Sequence, residues 1–251
     1  MRMGSLFEKV GLFRRRTKEI TRPVLGEATR FPYGPFRFRT SLTKGASYRI
    51  LASTDLTHWN SICKGVADSD TTEYVDSEAS KFSYRFYKSM TEEVPSQNVI
   101  GYASVILSPG FSLIANPFNS SSTISEAFAG WPEGTTLSKF DPNVSRLLEN
   151  TVEQGRWTKR IERLLRGEGA IFFNPTNDYK SHSFVGEVAE GTLTIPIPSG
   201  FSLRSSLVPK PGDLHDDLKF PISDGDVIHI FDRDSQIRAP RFVQIAIVTD
   251  E

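Results

Sequence analysis

Four histidines, one cysteine, two serines in a recurring Gly-Phe-Ser-Leu string and two acidic runs are the residues of this 251-residue chain best suited to chemistry. A serine nucleophile needs a base and an orienting group, usually on an exposed elbow. No G-x-S-x-G string occurs, and Ser112 and Ser202 lie in Phe-Ser-Leu strings that read as strand. Cys63, between Ile62 and Lys64, has no histidine nearby in sequence and suits a small core or edge position. His58, His182, His215 and His229 are far apart and match no zinc spacing. Asp213-Leu214-His215-Asp216-Asp217 and Asp232-Arg233-Asp234 offer oxygens for a loose calcium site. They lack EF-hand spacing, and aspartate is favoured in solvated turns anyway. There is no P-loop and no G-x-G-x-x-G, and Gly167-Glu168-Gly169 puts an acid where a phosphate would sit. Trp59, Trp131 and Trp157 leave a sugar-stacking platform open, although alternation turns most aromatic rings inward. Arg156, Lys159, Arg160, Arg163 and Arg166 form a basic group with few interleaved aromatics, read as a solvated helix face rather than a nucleic-acid surface. The expectation is a protein that is not an enzyme and carries no cofactor and no metal.

The composition sets the frame for those residues. Apolar residues make up 38% of the chain and phenylalanine alone supplies 18, enough for a substantial core. Thirty basic and 30 acidic residues balance, which argues against nucleic-acid binding over the whole surface. A single cysteine excludes an internal disulfide and any multi-cysteine metal site. No apolar run approaches the length of a membrane-spanning helix.

The charge is uneven, however. Residues 1–39 hold ten basic and three acidic residues, an excess of +7 that the rest of the chain offsets. Leu6, Phe7, Val10 and Phe13 fall on one face of a helix, followed by Arg14, Arg15 and Arg16. This basic amphipathic segment is the candidate docking site, for another protein or for an anionic membrane surface. Glu8 and Lys9 interrupt the apolar run, so a Sec signal is not expected and the expected location is cytoplasmic. Gly4 is not at the position that myristoylation requires. Residues 1–33 read as a basic extension running into a Pro/Gly linker.

From residue 34 the pattern becomes short alternating strands. Candidates are 36–40, 48–52, 58–62, 72–76 and 82–88, separated by turn-rich pieces such as Lys44-Gly45 and Asp68-Ser69-Asp70. This predicts a small antiparallel module over 34–95. A second unit, 97–251, carries an internal repeat. Pro109-Gly110-Phe111-Ser112-Leu113 recurs 90 residues later as Ser199-Gly200-Phe201-Ser202-Leu203. Each copy follows an apolar strand, 99–107 or 185–197. Each precedes a glycine, a strand and Phe-Asp, ending at Asp141 and Asp232. The halves, 97–182 and 183–251, are expected to pair and bury each other's sheet edges. Gly110 and Gly200 are expected at positive φ, with Phe and Leu of the string on one face and serine on the other. Between the halves, 144–167 is expected to hold a short helix, or a helix and a strand.

The residues carry two resemblances. Tyr48-Arg49-Ile50, Ala52-Ser53-Thr54-Asp55-Leu56, Trp59, Tyr74-Val75-Asp76-Ser77 and Arg85-Phe86-Tyr87 resemble a fibronectin-III/immunoglobulin-like module of bacterial surface and multidomain proteins, over nearly all of 36–88. The resemblance implies a spacer or adhesion unit, usually exported, with Trp59 as the core tryptophan of a central strand. The strings GYASVILSPGFSLIANPFN, GEGAIFFNP and FVGEVAEGTLTIPIPSGFSLRSSLVPKPG resemble an uncharacterised bacterial β-repeat family over most of 97–235. That likeness implies an architecture and no catalytic residue.

The whole is expected to be all-β: a fibronectin/Ig-like module, a larger β domain of two related halves, a basic N-terminal extension and one short helical insertion. The expected function is a non-catalytic structural or interaction protein whose partner is another protein. A carbohydrate-binding module is the alternative, and an enzyme or metal-binding protein on a β scaffold is the second.

Overall fold

A computed structural model describes residues 21–209, apart from 32, 93 and 198, together with the strands Val227–Ile230 and Gln244–Thr249. In chain order the strands are β1 (Leu25–Arg30), β2 (Phe36–Ser41), β3 (Ser47–Ser53), β4 (Asn60–Val66), β5 (Thr71–Asp76), β6 (Tyr84–Thr91), β7 (Val94–Pro95), β8 (Val99–Leu107) and β9 (Gly110–Ala115). A one-turn helix α1 (Ile124–Ala127) comes next. Then come β10 (Thr136–Asp141), β11 (Arg146–Glu153), β12 (Arg156–Trp157), β13 (Gly169–Asn174), β14 (Lys180–Val188), β15 (Gly200–Ser205), β16 (Val227–Ile230) and β17 (Gln244–Thr249). The protein is all-β, its sheets antiparallel throughout.

The central sheet runs β14-β8-β6-β3-β4, with β7 beside the far end of β6. Both its faces are covered. On one side lies the three-stranded sheet β1-β2-β5, and on the other the five-stranded sheet β12-β11-β10-β13-β9. Period 2 sorts the central side chains between two cores. On β8, Ile100 and Tyr102 face the small sheet, whereas Val99, Ala103 and Leu107 face the five-stranded one. On β6, Tyr87 and Phe86 part in the same way. A strand buried on both faces reads as an apolar run, as Val99-Ile100-Gly101-Tyr102-Ala103 does. The outer strand β2 alternates cleanly instead: Phe36, Phe38 and Thr40 are buried while Arg37, Arg39 and Ser41 face solvent. Gly101 has no room for a side chain, since a Cβ there would lie 2.6 Å from the Arg85 carbonyl oxygen.

The core beneath the small sheet is aromatic. Phe36 stacks on Tyr87 at 4.8 Å and contacts Phe38 and Tyr102 at 5.8 and 5.1 Å. At its margin is a buried charge. Asp76 accepts hydrogen bonds from Arg85 Nη1 (2.7 Å), the Tyr87 hydroxyl (2.6 Å) and the Glu78 backbone N–H (3.0 Å). Burial, with the neighbouring Tyr102 hydroxyl and this bond to Asp76, pushes the Tyr87 phenol far above its usual range.

Several expectations are corrected here. Residues 25–30, read as linker, form β1. Leu25 is buried, and Arg22 reaches across to donate to the carbonyls of Pro95 and Ser96. The boundary expected at residue 96 falls inside a continuous sheet, because β8 pairs with β6 on one edge and with β14 on the other. The helix expected within 144–167 is the antiparallel hairpin β11–β12, and the one-turn helix lies upstream at Ile124–Ala127, closed by a Thr123/Glu126 capping box. Trp59 is half-buried just ahead of the edge strand β4, not the core residue of a central strand.

The two Gly-Phe-Ser-Leu strings occupy equivalent places. Of β9, β10 and β13 the last in the chain, β13, lies between the other two, as β17 does among β15, β16 and β17. The registers match. Ser112 is opposite Phe172 and Thr136 opposite Phe173; Ser202 is opposite Ile247 and Val227 opposite Val248. Gly110 and Gly200 both open their strands at positive φ, 79° and 84°. Ser112 and Ser202 are both buried, whereas Phe111 is 59% exposed. The second unit lies against the outer face of the five-stranded sheet, Phe201 packing on Phe140 at 4.8 Å. Gly169 permits the crossing, since its Cβ would sit 3.2 Å from Leu203 Cβ.

Asp76 anchors this arrangement energetically. Asp76→Ala leaves Arg85 charged, buried and unpaired, and should cost about 3–5 kcal/mol of unfolding free energy, read by chemical denaturation.

Candidate functional site

A cleft of about 330 Å³ lies at one edge of the five-stranded sheet. Its inner wall is aromatic: Phe128, Trp131 and Trp157. The outer wall carries Ser125, Arg156 and Arg160. Trp157 is buried, in β12, and donates its indole N–H to the Phe128 carbonyl at 3.2 Å. Phe128 meets Trp157 edge-on at 6.2 Å, and Trp131 lies T-shaped against Phe172 at 4.7 Å. Lys180 Nζ stands 5.1 Å from the Trp131 ring centroid, in cation–π range.

The hairpin that presents Arg156 is tightly built. Gln154 and Gly155 both have positive φ, 51° and 72°, the two-residue turn that suits a twisted hairpin. The Glu133 carboxylate accepts from both turn amides, at 2.9 and 3.0 Å, and those bonds hold its pKa below the usual carboxylate range. Asn150, fully buried in β11, accepts from Lys159 N and Thr158 Oγ1 and donates to the Lys159 carbonyl, pinning the chain as it leaves β12. Neither Arg156 nor Arg160 has an ion-pair or hydrogen-bond partner for its guanidinium among the described residues. The basic group expected on a helix face is therefore distributed over a hairpin and the loop after it.

A second, smaller cavity of about 100 Å³ lies inside the large core. His182 lines it with Asn116, Ser120, Ser122, Thr123 and Ser183. The His182 ring stacks on Phe128 at 4.1 Å and meets Phe184 edge-on at 4.6 Å. Its Nε2 is buried without a protein partner. The cavity beside it is lined by both polar and apolar side chains and is roomy enough for an ordered water. Burial lowers the imidazole pKa to about 3, so the ring is neutral at physiological pH.

The other chemistry-bearing residues are dispersed. His58 lies in an exposed loop, 2.6 Å from the Asp55 carboxylate. Hydrogen bonds from the His58 ring, its backbone and Thr57 N–H hold Asp55 well below the usual range. Cys63 sits on β4, and Ser112 and Ser202 lie within sheets. Among the described residues no three His, Cys, Asp or Glu side chains are grouped to hold a metal. Also among them, no helix is long and apolar enough to cross a membrane. Leu6, Phe7, Val10, Phe13, Arg14, Arg15, Arg16, His215 and the acidic runs 213–217 and 232–234 lie outside the described residues. Sequence reasoning had named Trp131, Trp157 and the arginines separately, and missed Phe128, Glu133 and Lys180.

No protein-family model, no curated protein and no solved structure matches this chain.

His182 generates a pH-dependent stability. Its folded pKa of about 3 lies below the ordinary histidine value of 6.5. The stability it contributes is therefore complete above the unfolded pKa and is lost as pH falls from there toward the folded value. His182→Phe should flatten the fall in melting temperature between about pH 7 and about pH 4, compared by thermal denaturation with the parent protein.

Proposed function

We propose that this protein is a non-catalytic β scaffold that works by binding, with its basic N-terminal segment as a docking element. The observation that carries this reading is the use of the fold's chemically capable side chains inside the structure. Ser112 and Ser202 are buried in paired strands, His182 is neutral between two phenylalanine rings, and Asp76 is committed to Arg85 and Tyr87. The order β1-β2-β5 facing β4-β3-β6-β8 supports a fibronectin/Ig-like module: two antiparallel sheets divide seven strands of one short chain segment. The matched order and register of β9-β13-β10 and β15-β17-β16 supports reading these two units as a duplicated β element, in keeping with the repeat family that most of 97–235 resembles.

The docking partner in this reading is another protein, engaged by Leu6, Phe7, Val10 and Phe13 with Arg14, Arg15 and Arg16 beside them. In the full-length chain, Leu6→Ala/Phe7→Ala/Phe13→Ala should abolish capture of the partner from native lysate and leave the melting temperature unchanged. Capture unaltered by the triple substitution sinks the docking role. Binding to anionic vesicles that the same substitutions abolish moves the segment to a membrane surface.

A second reading, a carbohydrate-binding module, is favoured by one observation: Trp131, Trp157 and Phe128 converge on a single cleft. Phe128 and Trp157 are buried, and the partly exposed Trp131 is the ring placed to stack on the apolar face of a sugar. A glycan array should then give hits that change tryptophan fluorescence, and Trp131→Ala should remove that change. An array without hits defeats this reading and leaves the scaffold reading standing.

A further inference from the structure

We infer that the cleft between the Phe128–Trp131 segment and the β11–β12 hairpin binds an acidic saccharide, its anionic group held by Arg156 and Arg160. This rests on the carbohydrate-binding reading and adds the charge class of the ligand. The cleft joins two kinds of surface in one volume of about 330 Å³, within the range of small-ligand sites. One wall is aromatic: Phe128 and Trp157 are buried at its base, and the partly exposed Trp131 ring is the one that can take a flat hydrocarbon face. The other holds two guanidinium groups with no partner among the described residues. A guanidinium fork matches a carboxylate or sulfate in a bidentate manner that an ammonium group does not.

The nearby acids are held elsewhere, so they compete little for these arginines. Glu133 is bonded to the amides of Gln154 and Gly155. Glu126 caps α1 through Thr123. Glu153 is opposite Arg156 in the hairpin register but forms no ion pair with it. Lys180 adds a third positive charge over Trp131. An unpaired positive rim beside the partly exposed Trp131 ring matches a ligand carrying both a negative charge and a stacking face. The one-turn α1 has its N-terminal amide taken by Thr123 Oγ1, which leaves less for a phosphate to bind than for a carboxylate or sulfate at the arginines.

The test is calorimetric titration of the full-length protein with three probes: a tetragalacturonate, a sulfated heparin-derived tetrasaccharide and neutral cellotetraose. At least one acidic probe should bind about tenfold more tightly than the neutral one, and which one does identifies the carboxylate or the sulfate as the anchor. Arg156→Ala/Arg160→Ala should weaken that binding about tenfold or more, with an unchanged melting temperature because both side chains are exposed. Arg156→Lys/Arg160→Lys, which keeps the charge and loses the fork, should recover only part of it. Raising the salt from about 0.05 to about 0.5 M should weaken it further. Neutral binding as tight as acidic binding overturns the inference and leaves the carbohydrate reading intact. Absence of binding to all three probes overturns both.

Discussion

The structure depends on one constraint: a sheet buried on both faces must be apolar on both parities, yet its neighbours must approach closely. The β14-β8-β6-β3-β4 sheet meets the first demand by sending alternate residues of β6 and β8 into different cores. It meets the second with glycine. Gly101 on β8 stands opposite Gly186 on β14, and a Cβ on Gly186 would sit 2.5 Å from the Asn119 carbonyl oxygen. Several of the polar side chains that enter these layers are paired: Asp76 with Arg85 and Tyr87, Thr40 with Ser89, and Ser104 with Ser183. A buried charge without such partners would cost more than the layer gains by covering it.

The outer strands were legible in the sequence because one face of each meets water. Phe36-Arg37-Phe38-Arg39 announces β2 directly, and strands over 48–52, 72–76 and 82–88 fall within a few residues of β3, β5 and β6. Leu25–Arg30 was not legible, since Pro23 and Gly26 look like linker and β1 bends at Gly26–Thr29 through a register shift. The segment 144–167 misled for a different reason. Leu147, Ile161 and Leu165 contribute to an apparent helical periodicity, yet they are 41%, 88% and 51% exposed; Val152, Trp157 and Leu164 alone of that set are buried. An apolar period counts only the residues that reach a core, and sequence does not mark which ones do.

The candidate cleft was legible only as separate parts. Trp131 and Trp157 stand 26 positions apart and meet because β11 and β12 fold back on each other. Neither Phe128 nor Glu133 belongs to any motif. Glu133 acts through backbone amides of a turn whose shape is set by Gln154 and Gly155, a relation that no residue spacing reveals. The recurrence of Gly-Phe-Ser-Leu was visible, but which of its faces is buried was not. Phe111 packs on Phe173 across the outer face at 4.8 Å, while the small serine turns into the sheet interior.

Strand β8 belongs equally to the strands before it and the strands after it. It completes the pairing of β6 and gives β14 its only strand partner among the described residues. In tandem β proteins each bead has its own final strand, and a pull on the chain opens one bead at a time. Here that strand is clamped from both sides, so tension cannot extract one sheet and spare the next. Drawing β8 out would break its ladders to β6 and to β14 together.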